Sequence, residues 1–238
     1  MTTTPHLDTH LNLPGLKALA EYLVGQLGAS LISHTLENRE LTLHVVRDEI
    51  ANVLLLLRDD RRCRFTQLMD VAGVDWLGHR PAAERFAVVY HLLSLSQNLR
   101  IRVVVRTGEG PDFAAGLPNP LAEPVPSVVG IFPAAGWYER EAFDLFGIPF
   151  AGHPDLRRIL TDYSFDGFPL RKDFPLEGKV EVYFDAAQNR VAYKPVDLPQ
   201  EFRHFDRTSP WEGMQGNAGL AEADKPLNRD TFSREEFK

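Results

Sequence analysis

Three carboxylates crowd into one short stretch, Glu139, Glu141 and Asp144. Carboxylates held in a cleft with shifted pKa values can do general acid–base work. The chain also supplies a plainer use for them. Arg157, Arg158, Arg171 and Lys172 follow close behind, with Asp155 and Asp173 among them. Ion pairing between these groups is the reading we adopt. His153 stands two residues before Asp155, and His79 and His91 lie far upstream. No His-x-x-His or Cys-x-x-Cys spacing accompanies them, so a metal site is not expected. His153 is expected to hydrogen-bond the backbone in its Gly-Pro turn. Gly108-Glu109-Gly110 follows a strand pattern, but Pro111 and a Pro-rich stretch stand where a nucleotide-binding turn needs a helix. Arg61-Arg62-Cys63-Arg64 reads as a solvated turn leading into a strand.

The acidic cluster must be positioned by a helix. Pro133 suits a first helical turn. From there Ala134, Trp137, Tyr138, Ala142, Leu145 and Phe146 recur at three- and four-residue spacing and share a face. Gly147 then ends the helix. Glu141 falls inside that apolar stripe, so it is expected to be buried and paired with Arg157, Arg158, Arg171 or a partner's arginine. Glu139, Arg140 and Asp144 lie off the stripe, with Arg140 and Asp144 spaced as an i,i+4 pair. Beyond Gly147, prolines and glycines interrupt every candidate element. Phe150, Leu156, Ile159, Leu160, Tyr163, Phe165, Phe168 and Phe174 punctuate them. That is too apolar for a disordered linker. It reads as an extended strap whose aromatics find burial on a partner, since interface centres favour aromatics and arginine.

Upstream, the pattern predicts a helix over 16–27, strands over 31–36 and 41–46, and a helix from Ile50 that Asp48 could cap. A third strand follows over 65–74, then a hairpin from Phe86–Leu95 to Leu99–Val105. This order predicts an α+β fold, a two-layer domain with helices on one face of a mixed sheet. The expected organisation is a domain with its Pro/Gly-rich connector over 1–126, a helix region over 127–150, and an extended C-terminal strap and tail over 151–238. A short hairpin is expected from Val180–Phe184 and Arg190–Lys194.

Certain residues carry a resemblance. Glu139-Arg140-Glu141, Asp144-Leu145-Phe146, His153, Arg157 and Ile159-Leu160, then Phe168 to Leu176 (FPLRKDFPL), resemble the C subunit of proton-translocating NADH–quinone oxidoreductase, respiratory complex I. The hairpin from Arg85 to Val105 is similar to the same family, and the likeness runs over roughly residues 30 to 210. Ser164 departs from the glycine common in relatives. The resemblance implies a non-catalytic structural subunit of the peripheral arm of an enzyme that moves electrons from NADH to a quinone. FMN and iron–sulfur clusters would sit in partner subunits, with no cofactor in this chain. The expected partners are the D subunit and neighbouring peripheral-arm subunits. Glu139, Arg140, Glu141, Asp144, Phe146, His153, Asp155, Arg157, Arg158, Arg171, Lys172, Asp173 and Phe174 would be the interface or signature positions. Membrane association would be indirect, at the cytoplasmic face of the bacterial inner membrane. The alternative is the equivalent subunit of a membrane-bound hydrogenase or photosynthetic-type complex. An enzyme using the acidic cluster is a further class.

Bulk properties agree. A net charge of −7 argues against a nucleic-acid partner. One cysteine in 238 residues excludes an intrachain disulfide and an iron–sulfur cluster ligated by this chain alone. No stretch has the apolar length of a membrane span, and MTTTPHLDTH reads as no secretory leader.

Overall fold

Leucine spacing organises the first element. Leu16, Leu19, Ala20, Leu23 and Leu27 recur at helical spacing and are all buried along α1 (Leu13–Leu27). The computed structural model describes residues 13–111, 120–162 and 164–198. The polar arm over 1–12, Tyr163 and the tail aromatics Phe202, Phe205 and Trp211 lie outside the described residues. In α2 (Ile50–Asp59) the buried residues are Ile50, Val53, Leu54 and Leu57, as their spacing predicts. Asp48 does not cap this helix. It sits in a 3-10 turn, Arg47–Glu49, and its carboxylate accepts from Arg47 Nε at 3.0 Å. A neighbouring guanidinium is a stronger donor than a helix amide.

Five strands form the main sheet: β1 (Leu31–Glu37), β2 (Glu40–Val45), β3 (Gln67–Asp75), β4 (Phe86–Ser94) and β5 (Leu99–Thr107). Their order is β1-β2-β5-β4-β3. β1 and β2, β4 and β5, and β3 and β4 pair antiparallel, while β2 and β5 run parallel. The mixed sheet follows from the chain's rhythm: short turns join the hairpins, and α2 with β3 and β4 intervene before β5 reaches β2. Asn38 and Arg39, both at positive φ, make the tight turn between β1 and β2. Alternation sorts the side chains. Leu41, Leu43 and Val45, Val88, Tyr90 and Leu92, and Ile101, Val103 and Val105 join the helical leucines in one core. Each contributes about 1.5–3 kcal/mol by leaving water.

The third helix, α3 (Ala135–Phe146), packs on β3, an edge strand. Tyr138 donates to the Met69 carbonyl at 3.2 Å, so the helix also satisfies part of that edge. The Phe146 ring lies where a Cβ on Gly73 would be, so glycine in mid-strand permits the close approach. Two two-residue strands, β6 (Val125–Pro126) and β7 (Phe150–Ala151), pair in parallel and tie the entry and exit of α3 together. Residues 152–179 carry no helix or strand among those described, in keeping with the expected strap. The expected hairpin follows as β8 (Val180–Asp185) and β9 (Arg190–Pro195), with Val182, Phe184, Val191 and Tyr193 exposed. Residues 1–194 group as one compact unit and 195–238 as a second, of which only 195–198 are described. Among the described residues no helix is long and apolar enough to cross a membrane.

Candidate functional site

The buried face of α3 differs from the apolar stripe. Ala135, Glu139 and Ala142 are buried, at i, i+4 and i+7, and Asp144 is buried near the C-terminal end. Trp137, expected inside, is 72% exposed. Glu141, expected to be buried and paired with an arginine, is exposed. Among the described residues it makes no ion pair. The small side chains Ala135 and Ala142 let the helix approach β3 closely, and the buried carboxylates have donors waiting for them. Burial therefore follows fit and hydrogen-bond supply rather than side-chain hydrophobicity.

Glu139 is completely buried. Its Oε1 accepts from the Val128 N–H and its Oε2 from the Ser127 hydroxyl, both at 2.7 Å. Among the described residues no arginine reaches it; the nearest cationic candidate is His153 Nε2 at 3.9 Å. Burial raises the Glu139 pKa above its ordinary value, against the pull of the two hydrogen bonds and His153. The His153 ring hydrogen-bonds backbone, as expected. Nδ1 accepts from the Asp155 N–H at 3.0 Å, which leaves Nε2 to donate to the Gly136 carbonyl at 3.0 Å.

The sign of the Glu139 shift gives a prediction. A carboxyl whose pKa is raised by folding binds its proton more tightly in the folded state. Stability is then lost as pH rises from the unfolded value, about 4.3, through the folded one. Gln keeps the shape and cannot ionise. The stability of Glu139→Gln relative to the native chain should therefore increase between acid and neutral pH, measured by urea unfolding at a series of pH values. A relative stability that falls over that interval would contradict the buried, raised carboxyl.

Asp144 is saturated. Its Oδ2 accepts the N–H groups of Ile159, Leu160 and Thr161 at 3.0, 2.7 and 2.8 Å. Its Oδ1 accepts from Arg158 Nη1 at 3.0 Å and from the Thr161 hydroxyl. Three successive amides converging on one oxygen form an anion nest. Burial pushes this pKa up, but the Thr161 hydroxyl and the three amides outweigh it and hold the carboxyl below its ordinary value. Arg140, expected beside Asp144, instead reaches across to the strap. Its Nε and Nη2 donate to the Arg157 and Arg158 carbonyls, both at 3.0 Å. Residues 157–161 are thus held by their carbonyls through Arg140 and by their amides through Asp144. Arg158 continues the chain of contacts, donating to the Gly167 carbonyl at 2.9 Å and lying over the Phe168 ring.

The second marker folds back on the same helix. Gly147 ends α3 with φ 70 and an N–H donated to the Phe143 carbonyl. A Cβ here would collide with the Arg171 guanidinium and the Phe168 ring. Buried Arg171 donates to the Phe146 carbonyl at 2.6 Å, a cation at a helix C-terminus. Burial pulls its pKa down to about 10, which leaves it charged at neutral pH. The Lys172 N–H donates to Asp75 Oδ2 at 3.0 Å. Asp173 pairs with Arg85 at 2.8 Å. Buried Arg85 also forks onto Asp75, with both bonds at 3.1 Å, and reaches Glu109 at 3.0 Å. Burial raises the Asp75 pKa, but Arg85 and the Lys172 and Leu77 amides outweigh it and hold it low.

Sequence reasoning missed Asp75, Glu109, Ser127 and Thr161, because their partners are distant in the chain. The one available signal was charge at strand ends, Asp75 and Arg85, beside apolar runs. Of the predicted positions, Glu139, Asp144, His153, Arg158, Arg171 and Asp173 hold this chain together internally. Asp155 and Arg157 form an exposed pair at 3.0 Å. Phe174 stacks on Phe165 with ring centroids 5.8 Å apart. The strap's aromatics were expected to find burial on a partner, but Phe150 and Phe168 are buried within this chain. Trp137, Leu160, Leu170 and Leu176 stay outside, all more than half exposed, as do Val182, Phe184, Val191 and Tyr193 of the β8–β9 hairpin. Every oxygen of Glu139 and Asp144 faces a donor from within this chain. Among the described residues no group of three metal-ligating side chains converges. Cys63 is buried, and burial with Asp60 nearby pushes its thiol up to about 12. That disfavours the thiolate a cluster needs.

Known proteins share this arrangement's sequence. The family model described as "Respiratory-chain NADH dehydrogenase, 30 Kd subunit" matches residues 43–180. The C subunit of NADH-quinone oxidoreductase from Methylobacterium sp. (strain 4-46) is 52% identical over 213 residues, covering 90% of this chain and 92% of the relative. Its counterpart from Methylobacterium radiotolerans is 53% identical over 210 residues, covering 88% and 90%. Among solved structures, a chain of the membrane-bound sulfane sulfur reductase, an archaeal respiratory membrane complex, superposes with a TM-score of 0.52. It is 25% identical and covers 67% of this chain and 85% of its own.

Proposed function

Because this chain belongs to the family of the 30 Kd subunit of respiratory-chain NADH dehydrogenase, we propose that it works in the complex as a pre-folded brace. The family is that of the C subunit of NADH-quinone oxidoreductase, in the peripheral arm of respiratory complex I. An equivalent component of a hydrogenase or photosynthetic-type complex is not favoured. On this reading the chain has no catalytic site of its own, and FMN and the iron–sulfur clusters are held by other subunits. One buried cysteine with a raised pKa does not fit a cluster ligand set. The strap and the outer face of α3 dock on the D subunit and its neighbours, at the cytoplasmic face of the membrane. The contribution to turnover is geometric, since small misplacements at a reacting centre cost rate.

The observation that carries this is Trp137. It stands 72% exposed on a helix that turns Glu139 and Asp144 inward. An exposed indole is the residue type most enriched among interface hot spots. Trp137→Ala should weaken docking by about 2 kcal/mol, roughly 30-fold. The melting temperature of the purified chain should be unchanged. Native electrophoresis gives the fraction assembled, and quinone reduction per assembled complex should match the unsubstituted enzyme. Normal assembly, or normal assembly with collapsed turnover, would refute the brace reading at this position.

A further inference from the structure

Among the described residues no helix packs on one face of the main sheet, and that face is hollowed. Its floor is made of small side chains, Thr42, Ala87 and Val104, which are buried although no described element covers them. Register explains the shape. His44, Val104, Val89 and Ala72 lie side by side across β2, β5, β4 and β3. Arg106 flanks the next row beside Ala87 and Val74. Taller side chains wall a hollow of about 600 Å³. A sheet face turned to water needs no explanation, but Arg106 does. Among the described residues its Nη1 is buried with no hydrogen-bond partner, and a buried guanidinium donor left unmade is costly. Its Nε is 3.7 Å from Glu84, which also faces Arg80 at 3.6 Å, so two cations share one carboxylate. At the other end of the hollow, Glu40 already answers Arg102 and His91. Trp76, 37% exposed, stands with its ring 5.8 Å from the Arg106 guanidinium. Burial, with Arg106 and Arg80, lowers the His44 pKa, consistent with a positive field in an acidic chain of net charge −7.

We propose that this hollow is a second docking site, separate from the strap, for an amphipathic segment of a neighbouring subunit that presents a carboxylate to Arg106 Nη1. The segment seats a bulky apolar side chain on the Thr42, Ala87 and Val104 floor and packs against Trp76. Charge complementarity selects the occupant: an acidic helix or strand edge supplies an acceptor for Arg106 and an apolar face together. This proposal rests on the brace reading of the chain.

A photo-crosslinking residue at Val89, in the centre of the hollow, tests it in the complex assembled in its own membrane. The expected product is an adduct on a peptide of another subunit that carries Asp or Glu beside an apolar residue. Arg106→Met should lower its yield about tenfold. Trp76→Ala, at an exposed position, should also lower it severalfold and serves if Arg106→Met fails to fold. No adduct, an adduct on residues 1–12 or 199–238 of this chain or on a second copy, or a yield indifferent to both substitutions would overturn the proposal. The same crosslinker at Leu160, exposed on the strap, separates the two readings. An adduct there but none at Val89 removes only the second site, whereas none at either position removes the brace as well.

Discussion

Asp144→Asn is expected to unfasten residues 157–161 from α3 and to destabilise the chain by about 3–5 kcal/mol, the usual result of breaking a buried charge pair. One Asp144 oxygen accepts three backbone amides, while the other meets Arg158 and the Thr161 hydroxyl. Asparagine keeps one acceptor and turns two N–H donors toward either the amides or the guanidinium. Donor then faces donor whichever way the amide is flipped. The melting temperature should fall by about 10 °C, and hydrogen exchange should lose protection at 159–161. The pH dependence has a definite sign. A carboxyl whose pKa is lowered by folding stabilises above the unfolded aspartate value, about 3.9, and loses that contribution as pH falls through its folded value. The gap between the native chain and Asp144→Asn should therefore narrow in acid. A variant within about 1 kcal/mol of the native chain at neutral pH would mean the nest does not hold the strap.

Arg85→Met should destabilise by a similar amount, about 3–5 kcal/mol, at a different place. Arg85 is almost fully buried among Asp75, Glu109 and Asp173. Methionine fills much of the volume but leaves Asp75 inside with only the Leu77 and Lys172 amides for company. Exchange should therefore rise at 171–174, where the strap meets the end of the sheet, while 159–161 stays protected. Loss of protection at both places, or at neither, would show that the two fastenings are not independent.

Much of the main sheet and its two helices was legible because one-sided burial imposes a period. Leu16 to Leu27 repeats as a helix, and Leu41, Leu43 and Val45 alternate as a strand. The orientation of α3 was not legible. Trp137 and Tyr138 looked inward because they are apolar, yet Trp137 stays outside. What goes inward is Glu139, because Ser127 and Val128 bring donors from a loop that no local pattern connects to it. The same limit hid the Asp75–Arg85–Glu109 cluster. Each of its members looks ordinary in its own segment and gains meaning only when the end of β3, the start of β4 and the end of β5 are set side by side. Conversely, the arginines after α3 were legible as partners for nearby acids, since Arg158 does meet Asp144. The choice of acid, Asp144 over Glu141, depended on which side of the helix the strap crosses.

The parallel pairing of β2 with β5 has a consequence in time. Leu41 and Ile101, its first paired residues, lie sixty positions apart in the chain. At ribosomal speeds of about 5–20 residues per second, the β1–β2 hairpin waits roughly 3–12 s for its central neighbour. During that interval only α1 and α2 can shield its apolar side. The antiparallel pairs are local and can close as they emerge. The Lys172 bond to Asp75, spanning 97 residues, is made later still. A nascent chain halted before residue 171 could complete its sheet while lacking Arg171, Lys172 and Asp173, the residues that fasten the returning strap to it.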